Sequence, residues 1–157
     1  MARLKRGLGG LLVAVALLAV GWWQSRPAEQ ADGAWAGECV GVADGDTITV
    51  MHQGRGEKIR LNGVDSPEKG QAFGSTAKEY VSQRVFGREV RVQPLELDSY
   101  GRTIGEVYLA DGSHLNADLV SAGLAWWYRE YAPDNADLRR REAAARAARR
   151  GLWADRR

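Results

Sequence analysis

From Trp35 onward, short runs of alternating apolar and polar residues dominate the chain, and this period of two predicts strands over residues 36–42 and 46–51. Ala43-Asp44-Gly45 reads as the tight turn between them, because an Asp-Gly pair tolerates the backbone that a hairpin needs. Residues 54–57 make the next turn, into a third strand in which Ile59 and Leu61 face inward and Arg60 faces the other way. Gly63 then permits a bend and Pro67 ends ladder pairing, so Asp65 and Glu68 are expected on the loop leaving that strand, close to Arg60. The period now changes. Ala77, Tyr80, Val81 and Val85 are spaced by threes and fours, which predicts a helix over residues 71–86 stopped by Gly87. Residues 88–92 and 103–109 alternate again, joined through a turn at 98–101. Leu115, Leu119 and Ala122 mark a short helix ending at Gly123. A last helix is expected over residues 134–150, with a thin apolar face of Leu138, Ala145 and Ala148.

Three strands, a helix, two strands and two helices is the order of a small five-stranded oligonucleotide-binding (OB-fold) barrel with helices packed against it. The fold class is therefore α+β, mainly β, and 157 residues suffice for one such domain. Residues 1–33 differ in kind. Arg3, Lys5 and Arg6 precede an apolar run of about 16 residues ending at Trp23, followed by a polar stretch to Gly33. This is the pattern of a signal peptide or signal anchor with a linker, leaving residues 34–157 as the folded domain. The basic flank should stay inside, so the domain is expected on the extracytoplasmic side, periplasmic or at the cell surface. It is tethered if the apolar segment remains in the membrane and secreted if the segment is removed.

Charge changes the picture only locally. The formal net charge of +2 comes from the leader, residues 34–157 being balanced, but residues 134–157 carry eight Arg against four acids. Either a solvated helix face or a phosphate-steering surface would look like this. Cys39 is the single cysteine, which excludes an intrachain disulfide and fits a small buried side chain. His52 and His114 have no partners at metal-ligand spacing.

The chemistry lies in four short stretches. Asp46 adds a carboxylate beyond what the Asp44-Gly45 turn needs, and with Asp65 it would offer two oxygen ligands to a hard cation such as calcium. Arg102, after Tyr100-Gly101, can face Arg60 to form a two-sided guanidinium clamp suited to phosphate oxygens. Glu68 supplies a base. Two arginines, two aspartates and a glutamate are the set that metal-assisted phosphodiester hydrolysis requires.

Asp44-Gly45-Asp46-Thr47, Ile59-Arg60-Leu61 with Val64-Asp65-Ser66-Pro67-Glu68, Tyr100-Gly101-Arg102 and Ala122-Gly123-Leu124-Ala125, in that order, resemble the staphylococcal-nuclease-like (thermonuclease) family. The resemblance spans residues 40–153. It implies an OB-fold barrel with three helices and calcium-dependent hydrolysis of DNA and RNA leaving 3′-phosphate ends by a monomer. By motif, Asp46 and Asp65 resemble the calcium carboxylates and Thr47 the donor of a backbone carbonyl. Arg60 and Arg102 resemble the phosphate clamp and Glu68 the general base. Tyr100 is similar to the aromatic along the nucleotide, and Tyr131 to a second tyrosine near base and sugar. Several positions depart from the family pattern: Ser66 replaces Thr, Ser99 replaces a basic residue, the loop after Glu68 shortens to Lys69-Gly70-Gln71, and Arg129 stands where a tyrosine is expected.

Two other readings compete with a nuclease. One is a membrane-tethered barrel that binds nucleic acid without cutting it, since this fold is reused for binding. The other is a tethered interaction protein that uses the Arg-rich helix. A non-catalytic member should have lost Arg60, Glu68 or Arg102, and all three are present.

Overall fold

The structure, a computed structural model, describes residues 33–154; the leader ahead of Gly33 lies outside them. β1 (Trp35–Val42), β2 (Thr47–His52), β3 (Arg55–Leu61), β5 (Glu89–Leu97) and β6 (Thr103–Tyr108) close into a barrel in the order β1-β2-β3-β6-β5. β3 and β6 meet in parallel, and the other neighbours are antiparallel. Closure removes the exposed edges of an open sheet. The α+β barrel with three helices is thus the expected fold. α1 (Gly74–Val85), α2 (Leu115–Ser121) and α3 (Ala136–Ala147) pack around it, with a 3₁₀ turn at Gly151–Trp153. Among the described residues no helix is long and apolar enough to cross a membrane.

The period-two pattern works because each strand has one face in the core. Ile48 and Val50, Ile59 and Leu61, Val90 and Val92 are all buried. Val81 and Val85 of α1, Leu115 and Leu119 of α2 and Leu138 of α3 complete the same core. Each such side chain contributes roughly 1.5 to 3 kcal/mol of burial free energy. Cys39 is buried and free.

Four departures from the expected elements have local causes. α1 starts at Gly74, not at residue 71, because residues 68–71 close a turn of their own: Glu68 N–H donates to Gln71 Oε1 at 2.8 Å and Gln71 N–H to Glu68 O at 3.0 Å. β5 runs on to Leu97, beyond the expected residue 92, because a bulge between Pro94 and Glu96 accommodates the proline that cannot donate. The long β5–β6 hairpin carries its turn to the rim of the barrel. α3 begins at Ala136 with Asn135 as its cap, whose side chain accepts from Leu138 N–H. On its buried face the third position is Glu142, while Ala148 is exposed, since Trp127 N–H needs an acceptor there at 3.1 Å.

β4 (Val64–Asp65) and β7 (Trp126–Trp127) form a two-stranded sheet outside the barrel, pairing Val64 with Trp127 and Asp65 with Trp126. Two residues are too few to show alternation. This pairing and the bond from Tyr128 N–H to Gly63 O at 2.8 Å hold the loop after β3 in place.

Candidate active site

The β1–β2 turn, the loop after β3 and the β5–β6 turn meet at one end of the barrel. Gly45 makes the first meeting possible: a Cβ there would lie 2.7 Å from the Ala77 Cβ and 2.8 Å from the Ser66 side chain. Asp46, 6 % exposed, is thereby pressed beside the third strand. Its Oδ2 accepts from Ser66 N–H at 2.7 Å, its Oδ1 from the Thr47 hydroxyl at 3.2 Å, and its own N–H donates to Asp44 Oδ1 at 3.1 Å. Burial pushes the Asp46 carboxyl up to about 6, against the opposing pull of the Arg60 guanidinium.

Arg60 sits between the two predicted metal carboxylates. Its Nη1 is 3.4 Å from Asp46 Oδ1 and its Nη2 donates to Asp65 Oδ1 at 3.1 Å. Nη1 also donates to the carbonyls of Val64 at 2.7 Å and Leu61 at 3.2 Å, so the positive φ of Gly63 in the bend brings a carbonyl back to the guanidinium. Arg60 is therefore fixed by its own loop. Arg102 is fixed by the opposite turn, where Asp98 Oδ1 accepts from the N–H groups of Tyr100 and Arg102, and Oδ2 accepts from Arg102 Nε at 2.7 Å. The terminal nitrogens of Arg102 have no acceptor among the described residues.

Arg60, Asp65, Asp98, Arg102, Tyr128 and Tyr131 line one open cleft. The two tyrosine rings lie 4.9 Å apart. The predicted clamp, Asp65 and Tyr131 are thus together. Asp46 and Thr47 lie buried behind Arg60, and the Thr47 carbonyl accepts from Ala43 N–H at 2.9 Å with one lone pair left. Glu68 is exposed on the same loop as Asp65, three residues further on, outside the lining and with no side-chain partner among the described residues. Tyr100, 84 % exposed, stands at the tip of the β5–β6 turn, its ring 5.5 Å from the Arg102 guanidinium.

Sequence reasoning missed Asp98, Tyr128 and Glu142. An Asp two and four residues before Tyr100 and Arg102 is a readable Asx-turn signal. Tyr128, three residues before Tyr131, was hidden inside an aromatic run that otherwise packs inward. The histidines are accounted for by carboxylates: His52 meets Glu57 at 3.0 Å and His114 meets Glu106 at 2.6 Å.

Residues 58–155 match the family model described as staphylococcal nuclease homologue. The chain is 42 % identical to a micrococcal nuclease of Shigella flexneri across 78 % of its own length and 77 % of the relative's. It is 41 % identical to an uncharacterized endonuclease of Escherichia coli O157:H7, over 76 % of this chain and 77 % of that one. A similar endonuclease of Haemophilus influenzae, also uncharacterized, shows 39 % identity over 74 % and 65 %. The chain belongs to the staphylococcal nuclease family.

In this family member the donor set suits calcium. Asp46, Asp65 and nearby backbone carbonyls are hard oxygens, and among the described residues no group of three or more His, Cys, Asp or Glu gathers, so solvent must complete any coordination sphere. A carboxylate as buried as Asp46, with its pKa raised, is also where a cation is most stabilising. Metal-free protein should carry the corresponding cost. A rise of about two pKa units corresponds to at most about 3 kcal/mol at pH 7.5. Asp46→Asn keeps an acceptor for Ser66 N–H and removes the buried charge, whose cost is already net of the attraction to Arg60, so a gain of at most about 3 kcal/mol is expected in chelator. The folded pKa lies above the unfolded one, so the Asp46 contribution improves as pH falls through about 6 towards 4. The advantage of the variant should accordingly shrink from pH 7.5 to pH 5. Urea midpoints in chelator at the two pH values check this, and a variant less stable than wild type at pH 7.5 would contradict it.

Proposed function

We propose that this chain is a calcium-dependent nuclease that hydrolyses phosphodiester bonds of DNA or RNA and leaves 3′-phosphate ends, with its domain outside the inner face of the membrane. The observation that carries the reading is the cleft itself, where two guanidiniums, each anchored by its own loop, face one opening lined also by two carboxylates and two tyrosines. Arg60 and Arg102 can donate to non-bridging phosphate oxygens and stabilise the charge that builds up there in the transition state. Glu68 has a carboxylate free to take a proton from the attacking water. As water adds to phosphorus, the bond to the 5′ oxygen breaks, the 5′ oxygen leaves as a hydroxyl after taking a proton from solvent, and the phosphate stays on the 3′ oxygen. Tyr131 and Tyr128 offer ring faces to base and sugar, and Tyr100 offers another at the rim. Calcium, held by Asp46 and Asp65 with the Thr47 carbonyl, would supply further positive charge against the phosphate.

Calcium is the better candidate because a site offering only two carboxylates and a carbonyl would be completed by water in an irregular sphere, which calcium tolerates, whereas magnesium demands near-octahedral geometry. Initial rates on single-stranded DNA at saturating calcium should exceed those at saturating magnesium by at least about tenfold, and equal rates would rule this preference out. The basic flank of the leader supports the placement. Protease added to intact spheroplasts should then degrade the domain; full protection until the membrane is broken would refute the orientation.

A further inference from the structure

Beside the cleft, α3 carries more guanidinium than the protein itself neutralises. Arg129, Arg139 and Arg146 line a second groove, closed by Glu142, Ala143 and Ala147. Glu142, 7 % exposed, is the only acid in that lining, and its Oε1 is already taken by Trp127 N–H. Its Oε2 lies 3.9 Å from Arg129 and 3.7 Å from Arg146, beyond hydrogen-bonding distance. Arg139 is exposed and has no acid partner among the described residues. Three positive groups thus surround one half-committed carboxylate, and the groove keeps an excess of two charges.

Two of these arginines are also oriented. The Arg129 guanidinium lies 5.1 Å from the centre of the Trp127 ring, and that of Arg146 lies 4.2 Å from the Trp153 ring. Stacking of this kind satisfies one face of the guanidinium and leaves its N–H edge available to an oxyanion. The groove and the cleft draw on one loop. Tyr128 and Tyr131 line the cleft, and Arg129, between them in sequence, lines the groove.

We infer that the Arg129–Arg139–Arg146 groove is a second phosphate-binding subsite, which holds the single-stranded polynucleotide where it leaves the cleft past Tyr128. The inference rests on the nuclease reading for its substrate, but the groove is tested by binding. A groove of this kind adds affinity for long strands through phosphate contacts without touching the bond being cut. Its sequence signal is Arg129 itself, which stands where the family pattern has tyrosine.

The experiment uses the full chain carrying Glu68→Gln, to suppress cutting, with and without Arg129→Gln, Arg139→Gln and Arg146→Gln together. Affinity for a fluorescent single-stranded 20-mer is measured across a salt series. Each lost phosphate contact on a single strand lowers the slope of log affinity against log salt by about 0.7, so the triple variant should lose about 2 and bind at least about tenfold more weakly at low salt. Arg139→Gln alone, which breaks no contact within the protein, should lose about 0.7 and guards against misfolding as the cause. On the Glu68 background, kcat/KM of the same groove variants for a dinucleoside monophosphate should stay within about twofold of wild type. An unchanged slope in the triple variant overturns the inference, as does an equal loss on the dinucleoside substrate. Unchanged oligonucleotide binding with lost binding to vesicles of anionic lipid would assign the groove to a membrane surface and overturn it too. If the wild-type chain cuts neither substrate, the nuclease reading fails while the salt slope still decides whether the groove holds nucleic acid.

Discussion

Glu68→Gln should cut a single-stranded oligonucleotide about 10² to 10⁴ times more slowly than wild type while binding it, in calcium, within a few fold of wild-type affinity. The size follows from the chemistry: the amide is nearly isosteric with the carboxylate but is a far poorer proton acceptor. The selectivity follows from the structure. The Glu68 side chain makes no hydrogen bond or ion pair among the described residues, and its position is set by its backbone, through the turn with Gln71. Its replacement should therefore leave the fold, the cleft and the carboxylates Asp46 and Asp65 as they are. Single-turnover rates and fluorescence anisotropy on the same oligonucleotide separate the two effects. Wild-type rates in the variant would remove Glu68 from the mechanism, and a parallel loss of binding and rate would make it a substrate contact.

Arg60→Lys and Arg102→Lys should each lower turnover by about 10² to 10³, the cost of losing one donor to a developing oxyanion, although the charge is kept. Lysine has one ammonium where each arginine uses its fork in two directions. Arg102 spends Nε on Asp98 at 2.7 Å, and its terminal nitrogens have no acceptor among the described residues. Arg60 spends its two terminal nitrogens on the Val64 and Leu61 carbonyls and on Asp65. A lysine can make the anchor or the phosphate contact but not both with the same geometry. The effect should appear in kcat rather than in substrate binding, and near-wild-type kcat in either variant would count against the clamp.

The parts of this molecule that were legible in its sequence are those where one physical rule acts alone. The barrel strands read correctly because Ile48, Val50, Ile59 and Leu61 alternate with polar residues and one face is buried. The loop of Asp65 and Glu68 was placed by Gly63 and Pro67. What stayed hidden depends on contacts between distant segments. β4 and β7 are each two residues long and exist only because Val64 meets Trp127 across some sixty positions. Alternation placed the end of β5 at residue 92, and the bulge that carries the strand past Pro94 to Leu97 is a property of its pairing with β6. Glu142 looked like a solvated helix residue, yet it is buried where its Oε1 accepts from Trp127 N–H. Within the candidate site, the residue pattern named Arg60, Arg102 and Asp65, the family resemblance added Tyr131, and the fold brings these to one cleft. Neither named Asp98, which accepts from Arg102 Nε and from the backbone of its own turn.

Mass-spectrometric analysis of a short single-stranded DNA incubated with the purified chain, in calcium and in chelator, tests the central claim most directly. Cleavage in calcium alone, with every new internal end carrying a 3′-phosphate paired with a 5′-hydroxyl, is the predicted result. Tight binding of intact DNA with no product in calcium would contradict the account and leave the chain a binding module built on a nuclease fold.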